Sequence, residues 1–416
     1  MWNQRIIIFL LLAFSLQNIH ASVIHAGKGY PYPSIQKAID TSKNGDTIFV
    51  HEGIYKEHTI TINKAIVLKG INYPVLDGES KFEIVAIKSN NVTVDGFKIQ
   101  HSGVSSLYDI AGIKIIHASN VTVTNNILDD TFFGIYSLYS NNCIIKDNKL
   151  TAYREMEQES GNGIHCWYSN DMQIIHNNIT GHRDGIYFEF VTASIIWRNT
   201  STKNLRYGLH FMFSHNDTYI TNIFRNNGAG VAVMFTHGVK MFNNTFEDNS
   251  GDASYGLLLK EISDSYIHGN HFINNTSGIF MEGCSRIQVI KNLFKDNGWA
   301  MQIQASCAED TIVQNNYISN TFDVSTNGSL VLNTFRNNYW DRYEGYDLNK
   351  DLTGDIPYHP VSMYSMVVEQ NPNSLILLRS FMVSLLDKAE KAIPSLTPEN
   401  LIDEQPLMRR KHHDQD

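Results

Sequence analysis

The chain has 416 residues, a formal charge of −9, 18% charged residues and 11% aromatic residues. That composition is globular rather than disordered, and the length is ample for a large core. The one basic run, Arg409-Arg410-Lys411, lies near the end, which argues against nucleic acid as a partner.

Residues 1–21 read as a signal peptide. Arg5 gives the charged start, Ile6 to Leu16 is an apolar run of 11 residues, and Ala21 suits a cleavage site. The run is too short to span a bilayer as a helix, and no Cys follows it to carry a lipid. The mature chain is therefore expected outside the cytoplasm. Residues 22–80 read as a cap with the first strands. Tyr32 to Ser42 predicts a short helix with Ile35, Ala38 and Ile39 on one side, followed by strands at Thr47–Val50, Tyr55–Ile62 and Ile66–Leu68.

Residues 81–345 are self-similar. A Gly before an apolar residue recurs at Gly112, Gly134, Gly163, Gly185, Gly208, Gly230, Gly256 and Gly278, and Ala300 continues the series in steps of 22, 29, 22, 23, 22, 26, 22 and 22. A second column follows 14 or 15 residues later, at Asn126, Asn148, Asn178, Asn199, Asn222, Asn244, Asn270, Asn292, Asn315 and Asn338. This period admits a leucine-rich repeat or a β-helix. The leucine pattern is absent, and each coil instead opens with a short alternating strand. The predicted fold is all-β: a right-handed parallel β-helix with coils of about 22 residues. First and third residues after the Gly column point inward, with Ser137 breaking the rule, and the Asn column is expected to stack at ~4.8 Å per coil. The 29-residue step adds seven residues around Tyr153 to Asn162, and the 26-residue step adds four around Asp248 to Ser254. Each insertion reads either as part of a working face or as a tolerated loop.

Second and fourth positions should point outward. They include Tyr136, His165, Trp167, Tyr187, Glu189, His210, Met212 and Met234. Thioether and imidazole groups suit Cu(I), so His210, Met212 and Met234, with His165 or His237 nearby, form a candidate metal site. The alternative is packing under a loop or a partner. Tyr136, Trp167, Tyr187 and Glu189, read as one column, form a candidate ligand face that also suits sugar rings. Cys284 and Cys307 take nearly matching places in adjacent coils, as a disulfide or as buried thiols; Cys143 and Cys166 read as core. No convergent set of carboxylates marks a hydrolase or a lyase, so the chain is read as a non-enzyme.

Residues 346–416 break the repeat. A helix is predicted from Ser374 to Ala392, ended by Pro394, with Leu378, Phe381, Met382 and Leu385 among its apolar positions. It reads either as a cap on the last coil or as a docking helix for a membrane partner. Leu396 to Asp416 is expected to be loosely ordered.

Three stretches carry a resemblance: Arg183-Asp-Gly-Ile-Tyr-Phe-Glu-Phe190, Tyr207-Gly-Leu-His-Phe-Met-Phe-Ser214 and Asn338-Tyr-Trp-Asp-Arg-Tyr-Glu-Gly-Tyr-Asp-Leu-Asn349. Together with the tail helix they resemble the NosD family, periplasmic maturation factors of nitrous-oxide reductase. The resemblance implies a periplasmic β-helix working with an ABC permease and ATPase of the NosY and NosF type. It also implies a copper lipoprotein of the NosL type as donor, and nitrous-oxide reductase as the protein whose copper-sulfur centre is assembled. It supplies no ligand set, so the copper site rests on the residues alone. A polysaccharide-binding or polysaccharide-cleaving β-helix is the alternative reading.

Overall fold

The computed structural model describes residues 21–105, 107–153, 155–251, 253–328, 332–392 and 401–411. All of the expected signal peptide but its last position lies outside these residues.

Each coil contributes up to three short strands, and the strands stack into parallel sheets of 14, 12 and 13 strands among the described residues. Alternation sets the inside. Ile135, Ile164, Ile186, Leu209 and Val231, one per coil, are all fully buried. Ser137, the exception, meets Ser169 Oγ at 3.4 Å inside the coil. An inner stack of rings runs Phe224, Phe246, Phe272, Phe294, Tyr317, Trp340, with centroids 4.0–5.6 Å apart. The rungs begin well before residue 81, since Val23–Ala26 already pairs with Thr47–Val50.

The Gly column exists because adjacent coils approach there. A Cβ on Gly208 would lie 2.7 Å from Gly230 O and 2.8 Å from Asn227 Nδ2. Such contacts are too close to keep without moving backbone.

The asparagine ladder is present, with one correction. Its members are Asn126, Asn148, Asn177, Asn199, Asn222, Asn244, Asn270, Asn292, Asn315 and Asn338, each Oδ1 after the first accepting from the backbone N of the Asn one coil before it, and Asn126 Oδ1 from Phe97 N. Asn177, not Asn178, fills the third place. Asn178 opens a strand and points to solvent, whereas Asn177 is buried at the turn. A second ladder, not anticipated, runs Asn204, Asn227, Asn249, Asn275, Asn297, Asn320 and begins where Asn204 Oδ1 accepts from His182 N. It lies five residues after the first in every coil.

Helix α1, Ile35–Thr41, covers the first coil as expected, with Ile35, Ala38 and Ile39 buried. The Glu57 carboxylate accepts from Ile35 N at 2.7 Å and Gln36 N at 3.0 Å, placing negative charge at the helix N-terminus. At the other end α2 (Met363–Gln370) lies before the expected helix and was not anticipated, and the expected range 374–392 is divided between a 3-10 turn (Pro372–Leu377) and α3 (Phe381–Ala392). Pro372 follows the end of α2, and Arg379 takes a left-handed φ of 63°, which separates the turn from α3. Pro394 lies outside the described residues. Residues 401–411 are not loose: Leu401, Asp403 and Leu407 are buried against the last coil. All four cysteines are buried and free, so Cys284 and Cys307 are thiols.

Candidate functional site

Five successive rungs of the 12-stranded sheet build the site: Phe133–Leu138, Ile164–Trp167, Ile186–Glu189, Tyr207–Met212 and Ala229–His237. Strict register sorts their outward side chains into two columns. One runs Tyr136, His165, Tyr187, His210, Ala232, and the other Leu138, Trp167, Glu189, Met212, Met234. The expected single column of Tyr136, Trp167 and Tyr187 is thus divided. Trp167 lies two residues beyond His165, and a shift of two moves a side chain along the strand rather than up the stack.

The first column alternates phenol and imidazole, with ring centroids 4.6, 4.7 and 4.7 Å apart. It points outward yet is largely covered, with Tyr136 4%, His165 8% and His210 6% exposed. Phe132 and Phe133 pack over Tyr136. The seven-residue insertion lies against His165, where Asn162 Nδ2 meets His165 Nδ1 at 3.3 Å. Its backbone is tied down by Gly161 N donating to Phe132 O. Burial, then the Arg183 charge, pushes the His165 pKa down to about 3, and burial pushes His182 down to about 4. Burial and then nearby carboxylates raise the Tyr136 and Tyr187 phenols, with Asp109 acting on Tyr136 and Glu189 on Tyr187.

Asp184, itself buried, organises the flank. Its carboxylate lies 3.7 Å from Arg206 Nε, 3.9 Å from Arg183 Nε and 3.9 Å from His210 Nδ1. These gaps exceed direct hydrogen-bond length, so the attraction to the two guanidinium groups is electrostatic. Neither ring nitrogen of His210 has a hydrogen-bond partner, nor has His165 Nε2.

The structure pairs two of the four candidate metal ligands, while the His210 ring packs between Tyr187 and Tyr207. Met212 and Met234 are register partners, one rung or ~4.8 Å apart. His210 projects from the same face two residues before Met212, and Tyr187 Oη donates to Met212 Sδ at 3.7 Å. His165 is not part of this group. It lies two rungs from His210 with the Tyr187 ring between them, whereas two imidazoles on one ion, at ~2 Å per bond, need nitrogens within ~4 Å. His237 instead packs on His215, with centroids 4.1 Å apart. Among the described residues no three His, Cys, Asp or Glu side chains stand close enough to hold an ion.

A third column went unread in the sequence. His117, Tyr139, Tyr168, Phe190, Phe213 and Phe235 occupy the corner after each strand and stack at 4.5–5.2 Å. All six take left-handed φ values of 44–54°, each costing ~1–2 kcal/mol for a residue with a Cβ. Ring stacking returns ~0.5–1.5 kcal/mol per pair, which offsets most of that cost. The signal was available: every member lies five residues after its Gly.

At the tail, Val383 of α3 is buried with Phe322, Tyr364 and Val368. Phe381, Met382, Leu385 and Leu378 are exposed, Phe381 to 82%. One face therefore caps the helix base while the other is left open, and the two readings of the tail are compatible.

Fold and site together define a parallel β-solenoid with an outer face rich in imidazole, thioether and aromatic groups. Residues 151–346 match the family described as periplasmic copper-binding protein (NosD), and the resemblance to NosD is thereby shown. The chain is 27% identical over 175 residues to a Pseudomonas aeruginosa protein named "Probable ABC transporter binding protein NosD", covering 38% of this chain and 41% of that one. Its similarity to the protein of the same name in Stutzerimonas stutzeri is 25% over 177 residues, covering 38% and 40%. The alignments thus span about two-fifths of these curated relatives. Among solved structures, the catalytic unit of a GH87 alpha-1,3-glucanase from Streptomyces thermodiastaticus matches with a TM-score of 0.59 at 12% identity, over 74% of this chain and 65% of that one. At that identity the likeness is one of fold. Among the described residues no helix is long and apolar enough to cross a membrane.

Proposed function

We propose that this protein is a periplasmic, non-enzymatic accessory factor that handles copper as cargo beside an ABC transporter. In this reading it serves assembly of the copper centre of nitrous-oxide reductase. Its partners are a permease and ATPase of the NosY and NosF type and a copper lipoprotein of the NosL type. The observation that carries it is the pairing of Met212 with Met234 on adjacent rungs, with His210 two residues before Met212 and its ring nitrogens without a hydrogen-bond partner. Two soft thioethers and one imidazole suit Cu(I) and disfavour hard cations. Tyr187, Trp167 and Glu189 frame the site. Transient binding is what a three-ligand, partly open site provides. The polysaccharide reading has less support: of its ligand face, Tyr136 is buried, and both Tyr136 and Tyr187 pack their rings on His165.

The test is Cu(I) titration of the mature protein against a chromogenic chelator, with His210→Ala/Met212→Ala/Met234→Ala alongside. Competition by the wild type that is lost in a folded triple variant supports the reading. Absence of competition in the wild type removes copper carriage from this face.

A further inference from the structure

A second site lies at the far end of the solenoid. Between the last coils and the tail helices is a cleft of about 1100 Å³, floored by Asp323 and Asp341 and walled by Phe322, Tyr343, Tyr358 and Tyr364. Asp387 and Glu390 of α3 line its other side.

Asp323 is the telling residue. It is 3% exposed, and its Oδ2 accepts from Tyr358 Oη at 3.0 Å. Its Oδ1 has no hydrogen-bond partner, although a buried carboxylate oxygen left unpaired is costly. The nearest cation does not satisfy it: Arg342 Nη2 donates to the Asn320 and Thr321 carbonyls. Burial pushes Asp323 up to about 6, against the Arg342 charge and the Tyr358 hydrogen bond, which both lower it. Arg342 is thus a nearby charge but not a donor to Asp323, and Oδ1 is left without one.

The lining selects the kind of partner. Carboxylates outnumber the two arginines, Arg342 and Arg379, so an anion is disfavoured. Too few oxygen ligands converge for a metal ion, and no such cluster is found among the described residues. Aromatic walls over a carboxylate floor suit a cation with an apolar body, which gains ring contact and charge pairing together.

We propose that this cleft binds an organic cation, an alkylammonium or guanidinium group, paired to Asp323 and flanked by its tyrosines. The site is independent of the copper reading. The cation belongs either to a free small molecule or to a Lys or Arg side chain of a protein partner.

The experiment is calorimetric titration of the full mature chain with ethylguanidinium, butylammonium, uncharged ethylurea and the peptide acetyl-Leu-Arg-Leu-amide, with Asp323→Asn alongside. Binding of the small cations at millimolar concentration or tighter, without binding of ethylurea, supports a free ligand. Binding of the peptide alone supports a partner's side chain. In either case D323N should weaken binding about tenfold or more. The proposal is overturned if neither cation nor peptide binds, if ethylurea binds equally, or if folded D323N binds as the wild type does. Should D323N fail to fold, the wild-type contrast between ethylguanidinium and ethylurea decides alone.

Discussion

Asp403 terminates the asparagine ladder through Asn338. Its Oδ2 accepts from both the backbone N and the Nδ2 of Asn338 at 3.0 Å, and from Trp340 Nε1 at 3.1 Å. The carboxylate stands where the next coil's Asn would, so a tail segment 65 residues downstream supplies the missing rung. Asp403→Ala leaves three buried donors unpaired. At ~1–3 kcal/mol for a buried unpaired group, the expected loss is about 3 kcal/mol or more. Asp403→Asn keeps one acceptor oxygen and should cost about half as much. Urea unfolding of the three proteins checks this, and an Ala variant as stable as wild type would show that the ladder needs no cap.

The ladder's register at its third member gives a direct contrast. Asn177 donates its amide to Ile145 O and Asn199 Oδ1, both at 2.9 Å, while Asn178 is exposed. Asn177→Ala should lower stability by about 2 kcal/mol or more, and Asn178→Ala by no more than about 0.5 kcal/mol. Equal losses would contradict the register.

The same pair shows what the sequence carries and what it leaves out. Spacing finds the ladder, because a 22-residue period repeats through the solenoid. The usual offset of 14 from Gly163 falls on Asn177, not Asn178, since the insertion lies before Gly163 and leaves that offset intact. The register was therefore legible here, and reading the column at 15 missed it. Met212 beside Met234 was readable because parallel register follows from the Gly column. The burial of His165 was not, since Phe133 and the insertion that cover it lie outside the repeating pattern, nor was that of His210, packed between Tyr187 and Tyr207. The corner rings were readable at a fixed offset of five, yet rings at left-handed positions run against propensity. The role of Asp403 was out of reach, because nothing local ties residue 403 to residue 338.

His165 carries a pH signature. Its folded pKa of about 3 lies below the ordinary 6.5. Below pH 6.5 the unfolded chain takes up a proton there and the folded chain does not. The neutral ring's contribution is complete above pH 6.5 and is lost as pH falls toward 3, at about 1.4 kcal/mol per pH unit. Asp310 and Asp323, raised to about 6 by burial, carry the opposite sign over part of the same window. The whole-protein curve therefore hides the effect, and the difference between wild type and His165→Gln isolates it. Wild type should lose ground to the variant steadily between pH 6 and pH 4 in urea unfolding. A difference independent of pH would mean that His165 titrates normally.

The tail separates stability from docking. Phe381, Met382 and Leu385 are exposed on α3, while Val383, two residues after Phe381, is buried against Phe322 and Tyr364. Exposed apolar side chains add little to folding, so Phe381→Ser/Met382→Ser/Leu385→Ser should leave stability within about 0.5 kcal/mol per site. Val383→Ala removes buried methyl groups and should destabilise the tail by about 1 kcal/mol or more. If the open face is the contact for an ABC permease of the NosY type, the triple Ser variant should lose association with the solubilised transporter while unfolding as the wild type does. Retained association would assign α3 to capping alone, and with Phe381 82% exposed that would leave its apolar face without a physical reason in the isolated chain.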